Sequence, residues 1–196
     1  MPASLRPAVI RTSLLALAAL LVAATVTLPA APAHAGNAAT FSQLQTQLNA
    51  GGTVLLTANI TVGTATSTLN VPQTATLDLR GFNLTTNSTV LTAGKTLTVT
   101  DSVSGGLWQS IGRAATTIAG IQTTGATLIV DGASIVASGG PATEGIGASG
   151  NTLGGTVTIN SGTVTATGGT SGAGIGGSGS TTTIGSSRNS DSPSHS

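Results

Sequence analysis

From Thr53 onward the chain alternates apolar with small polar residues, in TVLLTANITV, ATLDLRGFNLTT, KTLTVTDS, ATLIVDGASIVAS and GTVTINSGTVTAT. A period of two sends successive side chains to opposite sides of an extended strand, so each run predicts a strand with one buried face. Thr, Val and Ile fill these runs, and Gly, Asn, Asp and Ser punctuate them, as strand and turn preferences require. One stretch follows another rule. In Thr40–Asn49 (TFSQLQTQLN), Phe41, Leu44 and Leu48 fall at i, i+3 and i+7, which places them on one face of a helix. Thr40 stands where an N-cap belongs and Gly51-Gly52 where a helix stops.

The strand pattern is also a repeat. Ala126–Asn151 lies over Gly155–Ser180 without a gap at an offset of 29 residues, with nine of 26 positions identical. Self-similarity at such a period is the mark of stacked supersecondary units. Within Thr156–Thr167, Val157 and Ile159, then Val164 and Ala166, form two inward pairs separated by a turn at Asn160-Ser161-Gly162. Two strands and two turns per 29 residues suit one coil of a parallel β-helix. Related strand starts stand upstream at Thr76, Thr96 and Thr127, spaced 20 and then 31 residues. Coils of unequal length around a common core strand predict an all-β, right-handed parallel β-helix over residues 53–184. The short helix within residues 36–52 is expected to cover its open apolar end, since a terminal rung otherwise leaves its core in water.

A resemblance supports this reading. LDLRGFNLTT followed by AGKTLTVTDSVSGGLW resembles the opening coils of secreted bacterial right-handed β-helix proteins, a superfold that includes the pectate lyases. GGTVTINSGTVTATGGTSGAGIGGSGS is similar to the glycine-rich repeats of large bacterial cell-surface proteins, some of them called carbohydrate-binding. The resemblance spans roughly Thr53 to Ile184. It implies the fold and export, and leaves activity open, because one fold hosts many functions.

Composition narrows the setting. Arg6 and Arg11, the apolar run Leu14–Leu28 and the small-x-small triplet Ala33-His34-Ala35 have the order of a signal peptide over residues 1–35. The apolar run is 15 residues long, short of the roughly 20 that span a bilayer. There is no cysteine, so the expected exported fold holds by burial and backbone pairing without disulfides. Residues 185–196 (SSRNSDSPSHS and the residue before) lack any apolar period, which predicts a disordered tail, and the array reads as a fragment of a longer one. After the leader, four cations (Arg80, Lys95, Arg113, Arg188) face five carboxylates (Asp78, Asp101, Asp131, Glu144, Asp191), a net charge of −1. Four scattered cations make no stripe for phosphates, so nucleic acid is not an expected partner.

Candidate chemistry is sparse. Gly145–Gly150 and Gly174–Gly179 carry the glycine spacing of a dinucleotide fingerprint, yet no helical pattern follows either copy, and that motif works by aiming a helix N-terminus at a pyrophosphate. Two copies in repeat register read as a recurring turn where backbones approach closely. Ala93-Gly94-Lys95-Thr96 lacks the first glycine of a phosphate loop, since Thr89 stands there, so Lys95 reads as a turn residue. Gly176–Ser180 begins like a calcium-binding nonapeptide, but Thr181 occupies the place of its Asp.

The metal candidates are Asp101, Asp131 and Asn160, each following a core strand, with Asp131 over Asn160 in the repeat alignment. Rungs about 4.8 Å apart would let neighbouring carboxylates share a hard cation; the same residues suit Asx turns or a polar ladder. The lyases of the resembled superfold use acidic calcium ligands with an Arg or Lys base. Asp78 and Arg80 share a strand face by spacing and Arg113 falls about a coil later, with no acidic cluster beside them. A glycosidase needs two carboxyls across the scissile bond, and the acids here are far apart in sequence. His34 falls in the leader and His195 in the tail. Trp108, after Gly105-Gly106 in an expected loop, is the candidate for glycan stacking, with core packing as its other reading. Thr96/Thr98, Thr156/Thr158 and Thr163/Thr165 resemble the threonine ranks of ice-binding solenoids, but the repeat sets Ile129 opposite Thr158 and Val136 opposite Thr165, which breaks the rank. Three Asn-x-Ser/Thr sequons, at Asn59, Asn83 and Asn87, are read as chance in so threonine-rich a chain.

No catalytic residue and no cofactor emerge. The expected role is an exported, non-catalytic structural or adhesin-like protein, secreted or at the cell surface, with weak glycan affinity. Its expected partners are surface glycans or a cell-wall or host matrix, with no membrane in the mature form. The alternatives are a β-helix polysaccharide lyase or glycoside hydrolase, and a carbohydrate-binding module.

Overall fold

The computed structural model describes residues 35–62, 67–113, 118–148 and 152–184. The rest of the predicted leader, the tail 185–196 and both histidines lie outside the described residues. The chain is a parallel β-solenoid of about five coils. β1 (Ala35–Ala38) and α1 (Phe41–Ala50) come first. The first coil holds β2 (Gly52–Leu56), β3 (Ile60–Thr61) and β4 (Leu69–Val71). The second holds β5 (Ala75–Asp78), β6 (Leu84–Asn87) and β7 (Thr89–Leu91). β8 (Thr96–Thr100), β9 (Leu107–Ile111) and β10 (Ile121–Gln122) make the third. The fourth is β11 (Thr127–Ser138) with β12 (Ile146–Gly147), and the fifth β13 (Thr156–Thr167) with β14 (Ile175–Gly176). β15 (Thr181–Ile184) continues beyond β13.

These strands stack into three faces. Face 1 runs β1-β2-β5-β8 and on through the first halves of β11 and β13 to β15. Face 2 runs β3-β6-β9 and then the second halves of β11 and β13. Face 3 is β4-β7-β10-β12-β14. The offset of 29 residues is thus a physical coil: Leu128 pairs with Val157, Ile135 with Val164 and Ile146 with Ile175.

Inward side chains stack from rung to rung. Val54, Leu77, Val99 and Val130 form one column on face 1, and Ile60, Leu84, Trp108 and Ile135 one on face 2, all buried. Each such side chain contributes about 1.5–3 kcal/mol when fully buried. One bonded set of polar groups enters this core, while the buried Ser88 and Thr123 hydroxyls have no hydrogen-bond partner. Trp108 Nε1 donates to Thr86 Oγ1 (3.1 Å), which bonds Ser110 Oγ (3.0 Å), and Ser110 donates on to the Gly120 carbonyl (2.7 Å).

The helix caps the stack as expected. Thr40 takes extended angles and its hydroxyl accepts from Gln43 N–H (3.3 Å), while Gly51 ends the helix at φ +80°. Leu44 and Leu48 are buried in the core of the first coil. The Gln45 amide does more than cover: its Oε1 accepts from Asn70 N–H (2.9 Å) and its Nε2 donates to Asn70 O (2.8 Å). A side-chain amide thereby replaces the missing rung at the edge of β4, satisfying backbone groups that must be paired when covered.

Three local expectations change. Residues 35–38, taken as leader end and linker, form β1, with Ala35 opposite Thr53. The turn expected at Asn160-Ser161-Gly162 is a bulge inside the continuous strand β13. The glycine motifs at Gly145 and Gly174 contribute two-residue strands of a third face, β12 and β14, rather than turns alone.

Candidate functional site

A cluster of carboxylate hydrogen bonds lies at the corner between faces 1 and 2 of the second and third coils. β5 ends at Asp78, whose Oδ1 accepts from Arg80 N–H (3.0 Å) and Ser102 N–H (3.0 Å) and whose Oδ2 accepts from Ser102 Oγ (2.6 Å). β8 ends one residue before Asp101, whose Oδ1 accepts from Gly81 N–H and Oδ2 from Gly106 N–H, both at 2.7 Å. The bonds are reciprocal. Asp78 of the second coil holds Ser102 of the third, and Asp101 of the third holds Gly81 of the second.

This clasp explains the local backbone. Arg80, Gly81, Ser104 and Gly105 all take positive φ, at 50°, 79°, 64° and 92°. Such angles are strained for Arg and Ser; the carboxylates hold the N–H groups of Arg80 and Gly81, and Ser104 N–H bonds the Asp101 carbonyl (3.3 Å). Gly106 has no room for a side chain, since a Cβ would lie 2.8 Å from Phe82 O. Burial acts to raise the Asp78 pKa; the Ser102 hydroxyl, the Ser102 and Arg80 N–H groups and the Arg80 charge outweigh it, so the carboxyl stays below its ordinary 3.8. Asp78 therefore remains ionised where its bonds need it.

The sequence candidates separate in space. Arg80 is an exposed turn residue rather than a neighbour of Asp78 on a strand face, and Arg113 follows β9 at the other end of face 2. Asp131 stands opposite Ser161, not Asn160, because the bulge after Val130 shifts the register by one. Ser161 Oγ donates to Asp131 Oδ1 at 3.0 Å. On its other side Asp131 pairs with Thr100 rather than Asp101. The ladder of Asp101, Asp131 and Asn160 drawn from the repeat is thus replaced by separate turn contacts. Among the described residues no group of three or more His, Cys, Asp or Glu could hold a metal ion.

Trp108 lies in β9, not in a loop, and is wholly buried. Its ring packs in the core and presents no face to a sugar. Phe41 and Phe82 are partly buried against that core. Lys95 closes a tight turn with its N–H on Thr92 O (3.0 Å). Neither glycine motif meets a helix; instead Ile146 N–H bonds Gly174 O (2.9 Å) and Ala148 N–H bonds Gly176 O (3.3 Å), backbone on backbone.

The structure gives two sets of residues an order that the sequence reading missed. Asn59 Oδ1 accepts from Asn83 N–H (2.8 Å) and Asn83 Oδ1 from Leu107 N–H (3.1 Å), a short asparagine ladder along the face 2 edge. Its signal was the 24-residue spacing of two sequons. The other set is the threonine array of face 1, taken up below. No helix among the described residues is long and apolar enough to cross a membrane. No family model, curated protein or solved structure matches the chain.

Proposed function

We propose that the chain is an exported, non-catalytic module of the secreted β-helix type, serving as a structural or adhesin-like element outside the cell with weak affinity for glycans. One observation carries this reading. The carboxylates that a lyase or glycosidase on this scaffold would direct at substrate are spent on fastening coil to coil, Asp78 through Ser102 and Asp101 through Gly81 and Gly106. A general base or metal ligand must aim its carboxylate at substrate, and here both oxygens of each carboxylate are aimed at donors of the chain itself, with Asp78 buried. The seam of close glycine contacts supports the same view, because it favours stackability over a cleft. The leader-like residues 1–35 support export.

The test is incubation of the full chain with polygalacturonate and with neutral glycans, read by product formation. No turnover is expected, and Asp78→Asn or Arg80→Ala should alter melting alone. Turnover that disappears in either variant overturns the proposal in favour of a polysaccharide-degrading enzyme.

A further inference from the structure

The register of face 1 reveals an order that the sequence offset conceals. One outward column is Thr53, Thr76, Thr98, Ile129, Thr158 and Thr183, paired coil to coil throughout. Beside it stands a second: Thr96, Thr127, Thr156 and Thr181 in register, with Thr74 joined to Thr96 by a bond from Thr96 N–H to its Oγ1 (3.3 Å). Between these columns the intervening residues, such as Leu97 and Leu128, are buried, so the threonines face outward. Ile129 is the single interruption of the paired rank from the second coil to β15.

Strand propensity alone does not account for this. It acts on all three faces, yet the matching outward rank of face 2 reads Thr61, Thr85, Gln109, Val136, Thr165, with two successive coils lacking threonine. That of face 3 reads Asn70, Val90, Gln122, Gly147, Gly176. Thr163 and Thr165, grouped by sequence with the other pairs, belong to face 2. Only face 1 is a lattice.

The lattice constants come from the backbone: about 4.8 Å from coil to coil and about 6.6 Å between alternate residues of one strand. Each point bears a hydroxyl that can donate and accept beside a methyl that cannot bond water. Neither column contains a charged residue, and the exposed Asp131 stands at the next outward position beside them, so the columns themselves offer nothing to pair with ions or charged polymers. The columns also lack the aromatic platforms and planar amides or carboxylates with which proteins hold sugar rings, and Trp108 is buried beneath face 2. An occupant that matches must itself be a rigid, uncharged, periodic array of hydroxyl-like donors and acceptors.

We infer that face 1 binds crystalline water, with the paired threonines ordering a first layer that continues into the ice lattice. The affinity grows with the number of ranks engaged, so Ile129 is a local defect in the middle of the face rather than a boundary.

The experiment uses the full chain in slowly grown ice, read by incorporation into the solid and by thermal hysteresis. Wild-type protein is expected in the ice; Thr98→Lys, on the array, is expected in the liquid; Thr165→Lys, on face 2, is expected in the ice. Ile129→Thr completes the rank and is expected to raise hysteresis, which decides the matter even where Thr98→Lys fails to fold. Exclusion of the wild type from ice, equal behaviour of the two lysine variants, or no gain with Ile129→Thr overturns the inference. Retention on microcrystalline cellulose without incorporation into ice overturns it too, and reassigns the face to a polysaccharide.

Discussion

Replacing Asp101 by alanine should destabilise the protein far more than replacing the exposed Asp131. Its two oxygens hold the Gly81 and Gly106 N–H groups at 2.7 Å. Gly106 is buried, so losing its acceptor leaves an unpaired N–H that costs about 1–3 kcal/mol. Gly81 is half-buried and water can partly replace the carboxylate there, which limits its share to about 1 kcal/mol. The sum is about 2–4 kcal/mol, equivalent to roughly 4–16 °C in melting temperature for a chain of this size. Asparagine should recover no more than half of this, because its amide offers one acceptor oxygen and turns a donor toward the other N–H.

The assay is urea unfolding with matched slopes, together with native-state hydrogen exchange at Gly81 and Gly106. Exchange matters because solenoids can open coil by coil, and the loss should appear first at those two amides. Asp131→Ala is the control. Its carboxylate is exposed and receives only the Ser161 hydroxyl, so its loss should stay within about 0.5 kcal/mol. Equal small effects of Asp101→Ala and Asp131→Ala would refute the idea that the clasp holds the second and third coils together.

Two further outcomes follow from the same geometry. The Asp78 carboxyl has a folded-state pKa below its ordinary 3.8, so the unfolded chain takes up the proton first. Its stabilising contribution is complete above pH 3.8 and is lost as pH falls through the lower folded value. Asp78→Asn should therefore show a flatter decline of stability below that pH than the wild type, measured by urea titration at each pH, and identical slopes would contradict the assignment. Gly169→Ala should cost more than 2 kcal/mol or so, since its Cβ would run into the Gly140 carbonyl and rigid backbone cannot yield. Gly94→Ala, at φ +73° with open space around it, should cost only about 1–2 kcal/mol of conformational strain, and melting curves of the pair separate the two causes.

The class of fold was legible because inward and outward positions obey a parity that survives errors of register. TLDL at Thr76 and TLTV at Thr96 were aligned by likeness, but Leu77 pairs with Val99 and Thr76 with Thr98. The slip is two residues, and a slip of two leaves every side chain on its proper face. Parity therefore gave the core and hid the columns. The cap was legible from the i, i+3, i+7 spacing, whereas the Gln45 mimicry of a rung was not, since nothing local relates Gln45 to Asn70. Likewise Trp108 looked like a loop residue because Gly105-Gly106 precedes it. Its burial follows from pairing with Leu84 and Ile135, a tertiary fact.

The coils differ in length most at one corner, which bears on where function can sit. Between faces 2 and 3 the second coil turns on the single residue Ser88, held at φ +55°. At the same corner the third coil runs from Ile111 to Ile121, the fourth from Ser138 to Ile146 and the fifth from Thr167 to Ile175. The spread of lengths is widest at this corner, although the corner between faces 1 and 2 also varies, from residues 101–106 in the third coil to none within the continuous β11 and β13. In the fourth and fifth coils the added loops lie on each other through glycine, with Gly169 N–H on Thr143 O (2.9 Å) and Gly145 N–H on Ala173 O (3.0 Å). Length absorbed there does not disturb the pairing of Thr98 with Ile129 or of Ile129 with Thr158 on face 1. A surface whose spacing must stay regular is therefore best placed away from that corner, where the threonine columns stand.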